Sequence, residues 1–126
     1  MSNKNLIPPI VLKWSKSLRN KDLEGILSCY ADNAILLGTL AKNIKISHSE
    51  IRPYFEMLFK KKNLDVKFHD VYDMYPNLGT TCISGTYTFS YIDEYGLLIR
   101  VPSRFTYVVR GLIDTKITTH HSSKNP

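Results

Sequence analysis

The sequence predicts an α+β domain in which helices come first and a run of long strands follows. Two observations carry this. Up to the lysines at 60–62 the apolar residues recur at helical spacing, and beyond Asn63 the pattern turns to strict alternation. All three helices also precede the long strands, with only two short strands between the second and third, which favours helices gathered on one face of a bent antiparallel sheet over alternating crossover units. At 126 residues the chain fits one domain, 1–126, with residues 1–7 expected as a flexible lead.

The elements follow in order. Pro8-Pro9 suits a helix start, where a missing N–H is no loss. Val11, Trp14 and Leu18 then form a stripe, with Lys13, Lys16 and Arg19 lying off it, and the helix is expected to end near Asn20. Asp22 is a good N-cap for a second helix carrying Leu23, Ile26, Leu27 and Tyr30. Ala34 to Gly38 reads as a short buried strand, and Ile44-Lys45-Ile46 as another. Ser47-His48-Ser49-Glu50 matches a capping box, with Ser49 as a competing cap and Pro53 expected within the first turn. The third helix then presents Ile51, Tyr54, Phe55, Leu58 and Phe59 on one side.

In the strand half, Leu64, Val66 and Phe68 alternate with polar residues, and Ile83, Tyr87, Phe89 and Tyr91 do the same in the next strand. Gly85 marks a bend or bulge there. Asp93-Glu94-Tyr95-Gly96 reads as a turn. Leu97 to Arg110 is a further strand, in which Pro102 marks an edge or bulge position, and Leu112 to Ser122 is the last.

Composition bounds the function. A chain 43% hydrophobic and 22% charged, with no apolar run long enough to span a bilayer, reads as an ordinary globular protein without a membrane partner. The N-terminus lacks the apolar core of a secretory signal, so a cytoplasmic location is expected. Cys29 and Cys82 form no CxxC pair and are read as reduced structural thiols, one in a helix and one in a strand. The net charge of +6 raises nucleic acid as a partner. Yet the one dense run, Lys60-Lys61-Lys62, suits the negative end of a helix, and the aromatic residues do not interleave with a basic stripe. Nucleic acid is therefore not expected, and neither a cofactor nor a metal site is indicated.

Several strings resemble one family. Trp14 and Asp22 followed by Tyr30-Ala31-Asp32-Asn33-Ala34-Ile35-Leu36-Leu37-Gly38-Thr39 is similar to the opening of NTF2-like proteins of the SgcJ/EcaC type. Glu50-Ile51-Arg52 with Tyr54-Phe55, Gly85 to Phe89, Arg104 to Val109, and the closing His120-His121-Ser122-Ser123 fit the same pattern. The association domain of calcium/calmodulin-dependent protein kinase II shares a related helix and a similar ending. The resemblance implies a cystatin-like cone with three N-terminal helices packed on a strongly curved antiparallel sheet, and a homodimer formed through the outer face of that sheet.

Alternation splits the ending. His120 and Ser122 share a face and His121 takes the other; the resemblance implies that the Ser122 face is concave, which would place His120 inside with Thr118. Arg104 is expected on a core-facing position, either as an anchor for an anion or paired with Glu50, Glu56 or Asp32. Arg52 is read as a solvated helix residue. Trp14, Tyr30, Tyr54 and Tyr87 are expected inside, where tyrosine hydroxyls need partners. The expectation is a small-molecule-binding or assembly module with a pocket for a small organic anion, lined by Tyr30, Tyr87, Arg104, His120 and Ser122. An alternative is an isomerase, cyclase or hydrolase of the SnoaL-like group with His120 as general base. A further alternative is a pure oligomerisation scaffold.

Overall fold

The structure, a computed structural model, describes residues 7–126. The expected flexible lead lies outside these, apart from Ile7, which is half-buried against the core. Helix α1 spans Pro9–Arg19 with Pro8 at its cap, and α2 spans Leu23–Leu27. The Asp22 carboxylate accepts from the Gly25 N–H at 3.0 Å, as its capping role predicts. Strand β1 is Tyr30–Leu37, β2 is Lys45–Ile46 and helix α3 is Ser47–Leu58. Four long strands complete the chain: β3 Lys62–Asn77, β4 Thr80–Ile92, β5 Leu98–Arg110 and β6 Lys116–Lys124. No helix among the described residues is long and apolar enough to cross a membrane.

The sheet is six-stranded in the order β2-β1-β6-β5-β4-β3. Strands β3 to β6 form the expected antiparallel run, but β1 lies parallel to β6, so the sheet is mixed rather than wholly antiparallel. Parallel pairing joins chain segments far apart in sequence, and local alternation carries no trace of it.

Several boundaries differ from the sequence expectation. Helix α2 stops at Leu27, which leaves Cys29 outside any helix and makes Tyr30 the first residue of β1 rather than the last of a helix. The last strand begins at Lys116, because Gly111 (φ +124°) and the exposed Leu112 and Ile113 belong to the preceding turn. Only the glutamate half of the capping box forms: Glu50 accepts from the Ile46 N–H at 2.7 Å, while Ser47 adopts φ +69° and makes no cap bond. Pro53 lies well inside α3 rather than in its first turn. Pro102 sits one residue past the last β5–β6 pair, Ser103 with Lys124. On that side its carbonyl accepts from Asn125 at 2.9 Å and its missing N–H breaks no ladder.

Bulges bend the sheet around α1. The β3–β4 register slips between Phe68 and Val71, opposite Gly85. There the backbones come so close that a Cβ on Gly85 would sit 1.8 Å from the Asp70 carbonyl oxygen. Trp14 on α1 enters the resulting concavity, stacked on Tyr87 and edge-on to Phe89 and Tyr107. Gly85→Ala should therefore straighten or part the two strands, at a cost of about 1–3 kcal/mol, the usual range for overpacking. Chemical denaturation will measure it, and an unchanged midpoint would show that the bulge does not depend on Gly85.

Candidate functional site

The centre of the concavity is polar. A second register slip, between Val108 and Val109 of β5, makes Thr118 an extra residue in β6, with its hydroxyl turned onto the Val108 carbonyl at 3.1 Å. The slip lets Ile117 and His120, of opposite parity, both point inward. Thr118 is thus a bulge residue and does not share the interior face with His120. Ser122 lies two residues on and is buried, and His121 is exposed on the outer face, both as alternation predicts.

His120 is 2% exposed and held at both ring nitrogens. Nδ1 is 2.8 Å from the Tyr30 hydroxyl and Nε2 is 3.2 Å from the Tyr87 hydroxyl. The Trp14 indole N–H donates to the same Tyr30 oxygen at 2.9 Å. Indole only donates, so Tyr30 accepts from it and turns its own proton to Nδ1, which must be bare. Nε2 then carries the imidazole proton and donates to Tyr87. Nearby, the Ser122 hydroxyl meets that of Thr39. A single direction of donation satisfies the bonds from Trp14 through Tyr30 and His120 to Tyr87. Aromatic rings close the site: Tyr107 stacks on His120 with ring centroids 4.0 Å apart, and Trp14 meets it edge-on at 5.4 Å.

Burial controls the ionisation. Removal from water pushes the His120 pKa down to about 3, with His121 adding a smaller push in the same direction. The same desolvation raises the phenols of Tyr30, Tyr87 and Tyr107 well above their ordinary range, and holds the nearby Cys29 thiol up at about 11. The His120 imidazole is therefore neutral near pH 7, as the direction of donation from Tyr30 to it requires.

Arg104, expected in this pocket, is not there. Val101, Ser103, Phe105, Tyr107 and Val109 are the buried residues of β5, so Arg104 has the opposite parity and is exposed on the outer face. The apolar alternation of Phe105, Tyr107 and Val109 already held that information. Nor does Arg104 pair with Glu50, Glu56 or Asp32: among the described residues it makes no ion pair. Arg52 is half-exposed and forms a bidentate pair with Glu24, at 2.6 and 3.2 Å. Of the five residues expected to line a pocket, Tyr30, Tyr87, His120 and Ser122 converge. Tyr107 and Thr39 join them unannounced, Tyr107 with a parity signal and Thr39 with none, since it follows the end of β1.

Comparison with known proteins places this geometry. The family model described as calcium/calmodulin dependent protein kinase II association domain matches residues 3–126. Among solved structures, the chain is similar to a candidate calcium/calmodulin dependent protein kinase II association domain from Xanthomonas campestris. Identity is 24%, coverage 99% of this chain and 96% of that one, and the TM-score 0.88. It is also similar to a candidate dehydratase of the NTF2-like family from Streptomyces avermitilis, at 14% identity, 93% and 92% coverage and TM-score 0.82. An uncharacterized protein with a cystatin-like fold from Caulobacter vibrioides matches at 9% identity, 93% and 85% coverage and TM-score 0.78. These likenesses establish an NTF2-like, cystatin-like cone. No curated protein sequence matches the chain.

Two measurements test the network. Tyr30→Phe strips a partner from both Trp14 and His120 and should cost about 2 kcal/mol or more, as orphaned buried polar groups do. Tyr107→Phe removes a buried hydroxyl that has no partner among the described residues, and should cost nothing or stabilise by about 1 kcal/mol. Equal losses in the two variants would overturn the assignment. Acid is the second probe. His120 binds its proton near pH 6.5 when unfolded but only near pH 3 when folded, so its contribution is complete above pH 6.5. Between those values the unfolded state holds more protons, and stability should fall by about 1.4 kcal/mol per pH unit on descending. His120→Gln, though less stable throughout, should show a flatter descent; a parallel one would remove His120 as its cause.

Proposed function

The chain belongs to the calcium/calmodulin dependent protein kinase II association domain family, and we propose that it is an assembly module, pairing with a second copy of itself through the outer face of its sheet. The observation that carries this reading is the closure of the interior around His120. A general base needs a ring nitrogen within hydrogen-bond reach of its substrate. Here both nitrogens are committed to tyrosines and the ring lies between Tyr107 and Trp14, so the centre of the cone behaves as core. A buried polar network with every member paired favours one arrangement of the core and so keeps the sheet in one shape.

The outer face, by contrast, is accessible and built for contact. Ser84, Thr106 and His121 form one row across β4, β5 and β6, and Cys82, Val108 and Thr119 form another, flanked by Ile35 and Leu37 of β1. Short and β-branched side chains make a low-relief surface that a second sheet can approach closely.

Light scattering coupled to size exclusion tests the proposal. The expected mass is twice that of one chain at micromolar concentration. Val108→Glu, at the middle of the face, should shift the protein to monomer without loss of its far-ultraviolet circular dichroism. A wild-type protein that stays monomeric at every concentration would overturn the reading.

A further inference from the structure

The three central strands carry Arg100, Arg104 and Arg110 on their outer face and no aspartate or glutamate. Lys116 is paired with Asp114, Lys124 stands opposite the inward-facing Ser103, and the Asp70 carboxylate of β3 reaches Thr86 beside Arg104 without pairing with it. At the middle of this face lies a depression of about 100 Å³, lined by Arg104, Phe105, Thr106, His121 and Ser123. The register builds it from two neighbouring rows: Arg104 stands beside Ser123, and Thr106 beside His121. Cross-strand neighbours on one face have Cβ atoms about 5 Å apart, so the four polar side chains surround one small volume. That is room for a single phosphate or carboxylate group.

The chemistry of the lining is that of an oxyanion receptor. A guanidinium offers a planar fork that matches two oxygens of a carboxylate or phosphate, and the imidazole and the hydroxyls can each add a donor. Arg104 makes no ion pair among the described residues, so its fork is not spent elsewhere. Thr106 is fixed by Ser84, whose hydroxyl lies 2.9 Å from its own. The strands are continuous on either side through this stretch, Thr86 pairing with Arg104 and Ser84 with Thr106, which makes the cradle rigid.

We propose that the outer-face depression formed by Arg104, Thr106, His121 and Ser123 is a binding site for a small oxyanion, taken from solution as free phosphate or carboxylate or supplied as an acidic side chain of a second copy. The site itself does not depend on the assembly reading; its consequence does. If two such faces meet, each brings unneutralised cations toward the other, and an oxyanion at Arg104 relieves that repulsion.

Isothermal titration with inorganic phosphate, against chloride at equal ionic strength, is the test, with wild type and Arg104→Gln compared. Saturable binding to wild type, weakened about tenfold or more in the variant, is the expected result for a lost bidentate contact. Arg104 is exposed, so the variant should keep the thermal midpoint of the wild type without phosphate. Equal binding in both proteins, or none to a wild type that light scattering finds monomeric, overturns the proposal. If instead the wild type is a dimer and ignores phosphate, the dimer of Arg104→Gln decides. A weakened dimer assigns the site to a carboxylate of the second copy, and an unchanged one overturns the proposal. A monomer that binds phosphate through Arg104 would sustain this site while sinking the assembly reading.

Discussion

A neutral imidazole at the centre of a protein can be kept only if both its nitrogens are bonded, and that requirement organises this molecule. His120 meets it with the hydroxyls of Tyr30 and Tyr87, which come from strands on either side of β6, β1 and β4. Tyr30 in turn satisfies Trp14, the residue by which α1 is seated in the concavity. The donation thus links the first helix, the parallel β1–β6 pair and the β4–β5 hairpin. Moving any one of these elements would leave a buried donor or acceptor unpaired.

The bulge at Thr118 is the backbone counterpart of that requirement. Without an extra residue in β6, Ile117 and His120 would face opposite ways, and either the core would lose an isoleucine or the imidazole would face outward. Its hydroxyl bond to Val108 anchors the irregularity. The bulge opposite Gly85 serves a related end, bending β3 and β4 so that Phe68, Tyr87 and Phe105 converge. Shape and polarity of the interior therefore come from the same few departures from regular pairing.

The two faces of the sheet divide the work. Inside, aromatic rings and the bonds to Tyr30 and Tyr87 leave His120 enclosed. Outside, threonine, serine and valine form a low surface that also carries Arg104. The placement of Arg104 separates the two. In the interior its charge would need a buried partner; on the outer face it is solvated and can receive an anion.

Much of the fold was legible along the chain. Periodicity marked the three helices and the long strands, Asp22 marked a cap, and Gly85 marked a bulge, because each reports a local geometric demand. Alternation also separated His120 and Ser122 from His121. The failures share a cause. Tyr30 fits a helical spacing but is drawn into β1 by pairing with β6, and Thr39 reaches the site only because Ser122 is brought to it. Arg104 is different: the apolar parity of Phe105, Tyr107 and Val109 already placed it outside. The sequence by itself thus determined the element types and most of the strand faces, since these follow from the 3.6- and 2-residue repeats of the backbone. Only the tertiary structure decided the parallel pairing of β1, the inward turn of β6 and the closure of the site around His120. These depend on pairing between strands and on contacts between residues from ten to ninety positions apart, which no local pattern encodes.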